Sequence, residues 1–369
     1  MQKTVLITTT IRVPTFLEAI CRNSIRYGHE DIAFLIIGDL KTPAAAGPFC
    51  EKLSKQYKRD VRYLNIEQQN KALADYPRLK ELMPVNHAAR KMIGNFLAYL
   101  GGCERVVMID DDNFITEEDF IGAYEMVGRQ IEMDVIQTET GWFNVYEAVQ
   151  EANGIPFYPR GFPWSKRLYQ KEVFSRQKNK VTVAAKQGIV LEDTDVDAVT
   201  RLFWPLRVVG MKKDFEPQFA LDPTTWSSFN NQNTALSRAA IPVYFTPPTT
   251  GRNADIWTAF ILCRLTEQMR EVIAYGHPLV RQVRNPHNLW KDLEDEWKNN
   301  RATDPFVDLL RSVDLKEATY LGALEELLKK SLEKLPTVKN MADQDRQLIH
   351  DFLTEYQIWQ SLFSEIPTV

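Results

Sequence analysis

The chain has 369 residues, 44% hydrophobic and 25% charged, with a net charge of −4 and a pI near 5.9. That length exceeds one small core and predicts a large α/β domain with an appended region, or two domains. The mild acidity excludes affinity for nucleic acid or anionic membrane through bulk charge. Cys21, Cys50, Cys103 and Cys263 are scattered with no Cys-x-x-Cys pair, which argues against a zinc ribbon and for reduced thiols in a cytoplasmic protein.

The opening run "TVLITTT" (4–10) reads as a first strand, too short for a signal peptide or a membrane span. No later stretch approaches about 18 uninterrupted apolar residues, so peripheral attachment is the membrane reading left open. "FLEAICRNSIRYG" follows Pro14 as an amphipathic helix that Gly28 can end. "IAFLIIGD" (32–39) is a second, buried strand, followed by a turn and a helical stretch to Lys58. "VRYLNI" (61–66) is a third strand, and "NHAARKMIGNFLAYLGG" (86–102) a helix closed by Gly-Gly. "RVVMID" is a fourth strand, and "DVIQTET" a fifth. "TEEDFIGAYEMVGRQ" between them predicts a helix capped by Thr116. The Pro- and aromatic-rich middle, 150–250, reads as loops and short strands around a cleft. From about 252 onward the pattern is mostly helical, notably 315–335 and 342–363. The charged faces of these last helices read as solvated, with an oligomer interface as the alternative.

Alternating strands and helices over the first ~140 residues predict a parallel α/β sheet, which binds ligands at the carboxyl ends of its strands. There, "VVMIDDDNF" (106–114) carries three adjacent carboxylates. A capping or solvated turn needs one Asp, and Thr116 already fits that part. Three carboxylates repel unless a cation lies among them. In an extended segment Asp110 and Asp112 face the same way, so both can reach one hard cation, Mg²⁺ or Mn²⁺, held together with a diphosphate.

An Asp-x-Asp after an apolar strand resembles the metal motif of nucleotide-sugar glycosyltransferases of the GT-A fold. A narrower resemblance lies further on. "YPRGFPWSKR" (158–167) is similar to the Arg-Gly-Tyr-Pro-Phe-Ser-Leu-Arg segment of the reversibly glycosylated polypeptides, the UDP-arabinopyranose mutase family. Thr10-Ile11-Arg12, Asp110–Asp112, "DVDAVT" (195–200), "NNQNTALSR" and "GRNADIW" (251–257) resemble that family's motifs in the same order. Trp164, Lys166, Val199 and Ala254 depart from its pattern. The resemblance covers roughly residues 4–260 and implies a GT-A-like (Rossmann-like) mainly parallel α/β sheet with a helical C-terminal region. The division expected from it is a catalytic domain over 1–260 and helices over 261–369. It also implies a UDP-sugar ligand and a divalent cation. In that family the first arginine of the segment, matched by Arg160, is the site of reversible sugar attachment, and Arg167 matches the closing arginine.

The expected activity is therefore a metal-dependent glycosyltransferase. The alternatives are a UDP-sugar pyranose/furanose mutase acting through Arg160, and a non-catalytic nucleotide-sugar-binding subunit. Asp110 and Asp112 are expected to hold the metal, with Asp111 in support. Thr10, Arg12, Asp39, Arg90 and Asn233 are expected on the nucleotide sugar, and Arg160 and Arg167 over the sugar diphosphate. Asp255 is expected at the acceptor hydroxyl, where the alternative is favourable placement at a helix N-terminus. Asp195 and Asp197 are acceptor-side candidates. His287, or His277, is a candidate further metal ligand, the alternative being a structural role. The acceptor is not specified by any motif.

Overall fold

Six of the seven residues of Thr4–Thr10 are β-branched, which suits a pleated strand packed on both faces. This segment is β1 of a computed structural model that describes residues 3–167, 173–284, 288–364 and 366. With β2 (Ile32–Gly38), β3 (Asp60–Leu64) and β4 (Arg105–Ile109) it forms a parallel block in the order β3-β2-β1-β4. Thr10 lies opposite Gly38, so these carboxyl ends open on one edge. The helix Lys91–Leu100 packs close against this block. A Cβ on Gly94 would stand 2.5 Å from a methyl of Ile7, so only glycine admits that approach.

β5 (Asn113–Ile115), β6 (Gln130–Thr138), β7 (Val149–Glu151), β8 (Phe174–Glu192), β9 (Val208–Met211), β10 (Gln218–Leu221), β11 (Asn233–Ser237) and β12 (Val272–Gln282) extend the sheet. β11 runs antiparallel between β4 and β8, and joins the parallel block to the rest. β8 pairs antiparallel with β6 over its first half and parallel with β12 over its second. The result is a mixed α/β sheet flanked by helices, with a helical region after it, Leu289–Arg311, Tyr320–Lys334 and Asp343–Ser364. This is the GT-A-like class expected.

Two expectations give way, and a third, the mostly helical stretch after residue 252, gains a strand. The stretch after residue 252 holds a helix, Ala254–Met269, but then returns to the sheet as the 11-residue β12. Arg270 in the left-handed region (φ 56°) stops the helix, and neighbours on both sides supply the strand's partners. The sheet therefore continues past residue 260. The middle region contains a 19-residue strand, β8, as well as loops. Its polar first half pairs with β6, where tertiary pairing decides what composition does not.

Residues 116–129 are no helix beyond the short turn Gly122–Tyr124. The Asn23 amide binds the Glu118 carbonyl (2.7 Å) and the Phe120 amide (3.2 Å), and Asp119 accepts from Gly122 N–H (2.9 Å). These side-chain bonds compete with helical ones. Thr116 caps nothing; its hydroxyl is buried without a partner among the described residues.

The C-terminal helices brace the loop that follows β11. Tyr356 hydroxyl donates to Val243 O (2.8 Å), and Trp359 Nε1 donates to Pro242 O (2.8 Å). Asn299 binds Thr250 O (2.9 Å), and Asn300 accepts from Asn253 (2.9 Å). All four cysteines are free and buried. Among the described residues no helix is long and apolar enough to cross a membrane.

Candidate active site

The acidic triplet is a tight turn, not an extended segment: Asn113 N–H donates to Asp110 O (3.2 Å), and β5 follows at once. The turn still sends its carboxylates in two directions. Asp110 and Asp112 line a cavity of about 600 Å³, and Asp111 lines a neighbouring one of about 230 Å³.

In the larger cavity Asp110 is ion-paired with Lys91, whose side chain is 2% exposed. Lys91 also donates to Asn231 O (3.1 Å). Asp112 Oδ2 accepts from Gln282 (3.1 Å), while Oδ1 is buried with no partner among the described residues. Burial, and then the charge of Asp110, push the Asp112 carboxyl above its ordinary range. A buried acceptor without a donor, beside a second carboxylate, is a donor set that a hard cation would satisfy. No cluster of three His, Cys, Asp or Glu side chains able to hold a metal occurs among the described residues. The pair fits an ion that keeps water and phosphate oxygens as its other ligands, as Mg²⁺ commonly does.

Across the cavity lies Arg160, almost fully buried. Its Nε donates to both oxygens of Asp195 (2.9 and 3.0 Å) and one terminal nitrogen to both of Asp255 (3.2 and 3.1 Å). The other donates to Arg252 O and to Asn253 Oδ1 (3.3 Å). The two carboxylates differ. Burial opposes charge on Asp195, but Arg160, then Arg284 and the Asn230 amide (2.6 Å), outweigh it and hold its carboxyl at about 2. Burial raises Asp255, and the attraction of Arg160 only partly offsets it. Asp255 also occupies the first turn of the helix Ala254–Met269, so both readings of that residue describe the same position.

In the smaller cavity Thr10 hydroxyl donates to Asp111 Oδ2 (2.7 Å); Arg12 Nε lies 3.3 Å from the same oxygen but does not line the cavity. Asp39 and Arg90 also line it, but their polar atoms hold the protein. Asp39 accepts from the amides of Leu40 (2.7 Å), Asn86 (2.8 Å) and His87 (3.1 Å). Arg90 donates to Gln69, Met83 O (3.0 Å) and Pro84 O (3.2 Å).

Four candidates lie elsewhere. Arg167 packs on Trp164, with 3.6 Å from guanidinium carbon to ring centroid, and donates to Asp197 (2.7 Å). Asp197 caps the helix Ala198–Phe203 by accepting from Thr200 N–H (2.8 Å), and lines neither cavity. Asn233 sits inside the sheet on β11, accepting from Tyr124 hydroxyl (2.6 Å). His277 stands 3.1 Å from Glu118, away from both cavities, and His287 falls outside the described residues.

The structure adds residues that no motif marked. Lys91 opens a helix whose pattern reads as amphipathic, so its burial against Asp110 leaves no local trace. Arg284, Lys298 and His87 join the larger cavity from β12's end, a C-terminal helix and the turn before residue 88. The Asn-rich run 230–233 offered a signal through composition, and Asn230 and Asn231 do line that cavity.

No protein-family model and no curated protein match the chain. Solved structures that align with it include glucosyl-3-phosphoglycerate synthase from Mycobacterium tuberculosis in complex with Mn²⁺ and UDP-glucose. The identity is 9% over 83% of this chain and 78% of that one, with a TM-score of 0.38. The mannosyltransferase PcManGT from Pyrobaculum calidifontis, in complex with GDP-mannose and Mn²⁺, aligns at 9% identity over 100% and 76%, TM-score 0.35. TarS from S. aureus in complex with UDP-GlcNAc aligns at 10% over 99% and 92%, TM-score 0.38. At these values the likeness is distant.

Proposed function

We propose that the protein is a nucleotide-sugar-dependent glycosyltransferase, with a UDP-sugar as the donor. The observation that carries this is the division of the acidic turn between two adjoining cavities at the carboxyl edge of the parallel strands. Such a pair suits a ligand with a nucleoside at one end, a sugar at the other and a diphosphate between. The smaller cavity, shaped by Thr10, Asp39 and Arg90, takes the nucleoside, and the larger takes the sugar and the acceptor.

Asp110 and Asp112 would hold Mg²⁺ or Mn²⁺, which supplies Lewis-acid charge to the departing diphosphate. Lys91 brings a fixed positive charge to the same place, where negative charge grows on the leaving group. Arg160 keeps the charge on Asp195 and orients Asp255. Asp255, its carboxyl raised by burial, takes the proton from the acceptor hydroxyl at its Oδ atoms. Nε and both terminal nitrogens of Arg160 donate to protein acceptors, which supports a positioning role and transfer to a separate acceptor over a mutase working through that arginine. Calorimetric titration with UDP-sugars, with and without Mn²⁺, tests the reading. No binding of any nucleoside diphosphate sugar under either condition would end it.

A further inference from the structure

His87 occupies an unusual position, since it and Ala88 belong to the walls of both cavities. Its backbone is fixed from outside. Asn86 adopts a left-handed conformation (φ 54°), tolerable for Asn, and Asp39 accepts both the Asn86 and the His87 amide, at 2.8 and 3.1 Å. Its ring is fixed from inside. Nδ1 accepts from Ala89 N–H at 3.1 Å, which places the proton of the neutral imidazole on Nε2. Nε2 has no hydrogen-bond partner among the described residues, and no other polar atom of the ring is available. Burial lowers the His87 pKa despite the nearby Asp39, so the neutral form is the one present at neutral pH.

We propose that His87 binds the diphosphate where the donor crosses from the smaller cavity to the larger, its Nε2–H donating to a phosphate oxygen. Asp39 is then a positioning residue: it holds the turn that aims the imidazole and touches no ligand itself. The inference rests on the nucleotide-sugar reading above, which places a diphosphate at this junction.

Two substitutions separate binding from structure. His87→Asn retains an acceptor at the Nδ1 position, and so the bond from Ala89, but removes the Nε2 donor. His87→Gln retains a donor at the Nε2 position and loses that acceptor. The measurement is calorimetric affinity for UDP and for uridine, with Mg²⁺ present, alongside thermal melting. The expected result for His87→Asn is a loss of UDP affinity of about 10- to 150-fold, the usual range for a hydrogen bond to a charged group, with uridine affinity and melting unchanged. His87→Gln should keep more UDP affinity than His87→Asn while melting lower. UDP affinity equal to wild type in His87→Asn overturns the proposal, as does an equal loss for UDP and uridine. A wild-type protein that binds no nucleoside diphosphate overturns the functional reading and this inference together, whereas wild-type binding with an indifferent His87→Asn overturns this inference alone.

Discussion

The two cavities share a wall but use charge in opposite ways. In the smaller one, the carboxylate of Asp39 and the guanidinium of Arg90 point at main-chain amides, carbonyls and Gln69, so charge fixes shape. In the larger one, Asp110, Asp112 and Asp255 line the space a ligand would enter, and two of these side chains are held by buried cations, Lys91 and Arg160. The contrast teaches that a charged residue near a ligand site is informative only once its hydrogen bonds have been followed. Recognition by shape suits one end of the ligand and chemistry the other.

The sharpest way to break the contrast is Asp255→Asn. It removes the proposed proton acceptor and should lower kcat by about 10²–10⁴-fold with little change in donor affinity. The pH profile carries its own signature. Asp255 must be ionised to accept a proton and its carboxyl is raised, so wild-type kcat should climb with pH through values above the usual Asp range. That limb should vanish in Asp255→Asn, and its survival would reassign the base.

Arg160→Met comes next. It leaves two buried carboxylates without their cation, a change that typically costs about 3–5 kcal/mol and is read by urea unfolding at pH 7. The sign with pH follows from Asp195, whose folded pKa of about 2 lies below the ordinary value of 3.8. In the wild type its stabilisation is complete above 3.8 and lost as pH falls toward 2. In Arg160→Met, with burial no longer opposed by that cation, this acid-side loss should shrink.

Asp112→Asn should weaken divalent-metal affinity by at least about 10–100-fold, the range found even for outer-shell partners, as read by Mn²⁺ titration. Because Asp112 has a raised pKa, removing its charge should not reduce, and can improve, stability in metal-free buffer at pH 7. The effect with the lowest floor belongs to Asp39→Ala. It frees three amides, and KM for the donor should rise roughly 5- to 150-fold, the equivalent of about 1–3 kcal/mol, with kcat nearly unchanged. A matching fall in kcat would mean that the smaller cavity shares in the chemistry.

The parallel block was legible because β2 and β4 are short apolar runs, β1 is almost wholly β-branched, and helical patterns separate its strands. The acidic triplet was legible because it sets charge against propensity at a strand end. The antiparallel half was not. "VIAYGHPLVRQ" contains Gly276 and Pro278 and becomes a strand only through partners at 183–192 and 218–221. Arg167 and Asp197 looked like site residues from their motif, yet they bind each other, 2.7 Å apart, outside both cavities. Lys91 and His87 stayed hidden for the converse reason: nothing beside them in the chain distinguishes a lysine on a helix or a histidine in a turn from any other.

β12 sets the timing of assembly as well as the shape of the sheet. Among the described residues it is the last strand in chain order, yet it docks between β8 and β10, both made long before it. Until residue 282 has emerged, the edges that β12 will cover stand open as templates for stray pairing. A fragment ending at residue 260 would keep them open permanently, and should be lost to aggregation even though the acidic turn and Arg160 with its two carboxylates, Asp195 and Asp255, are all present in it.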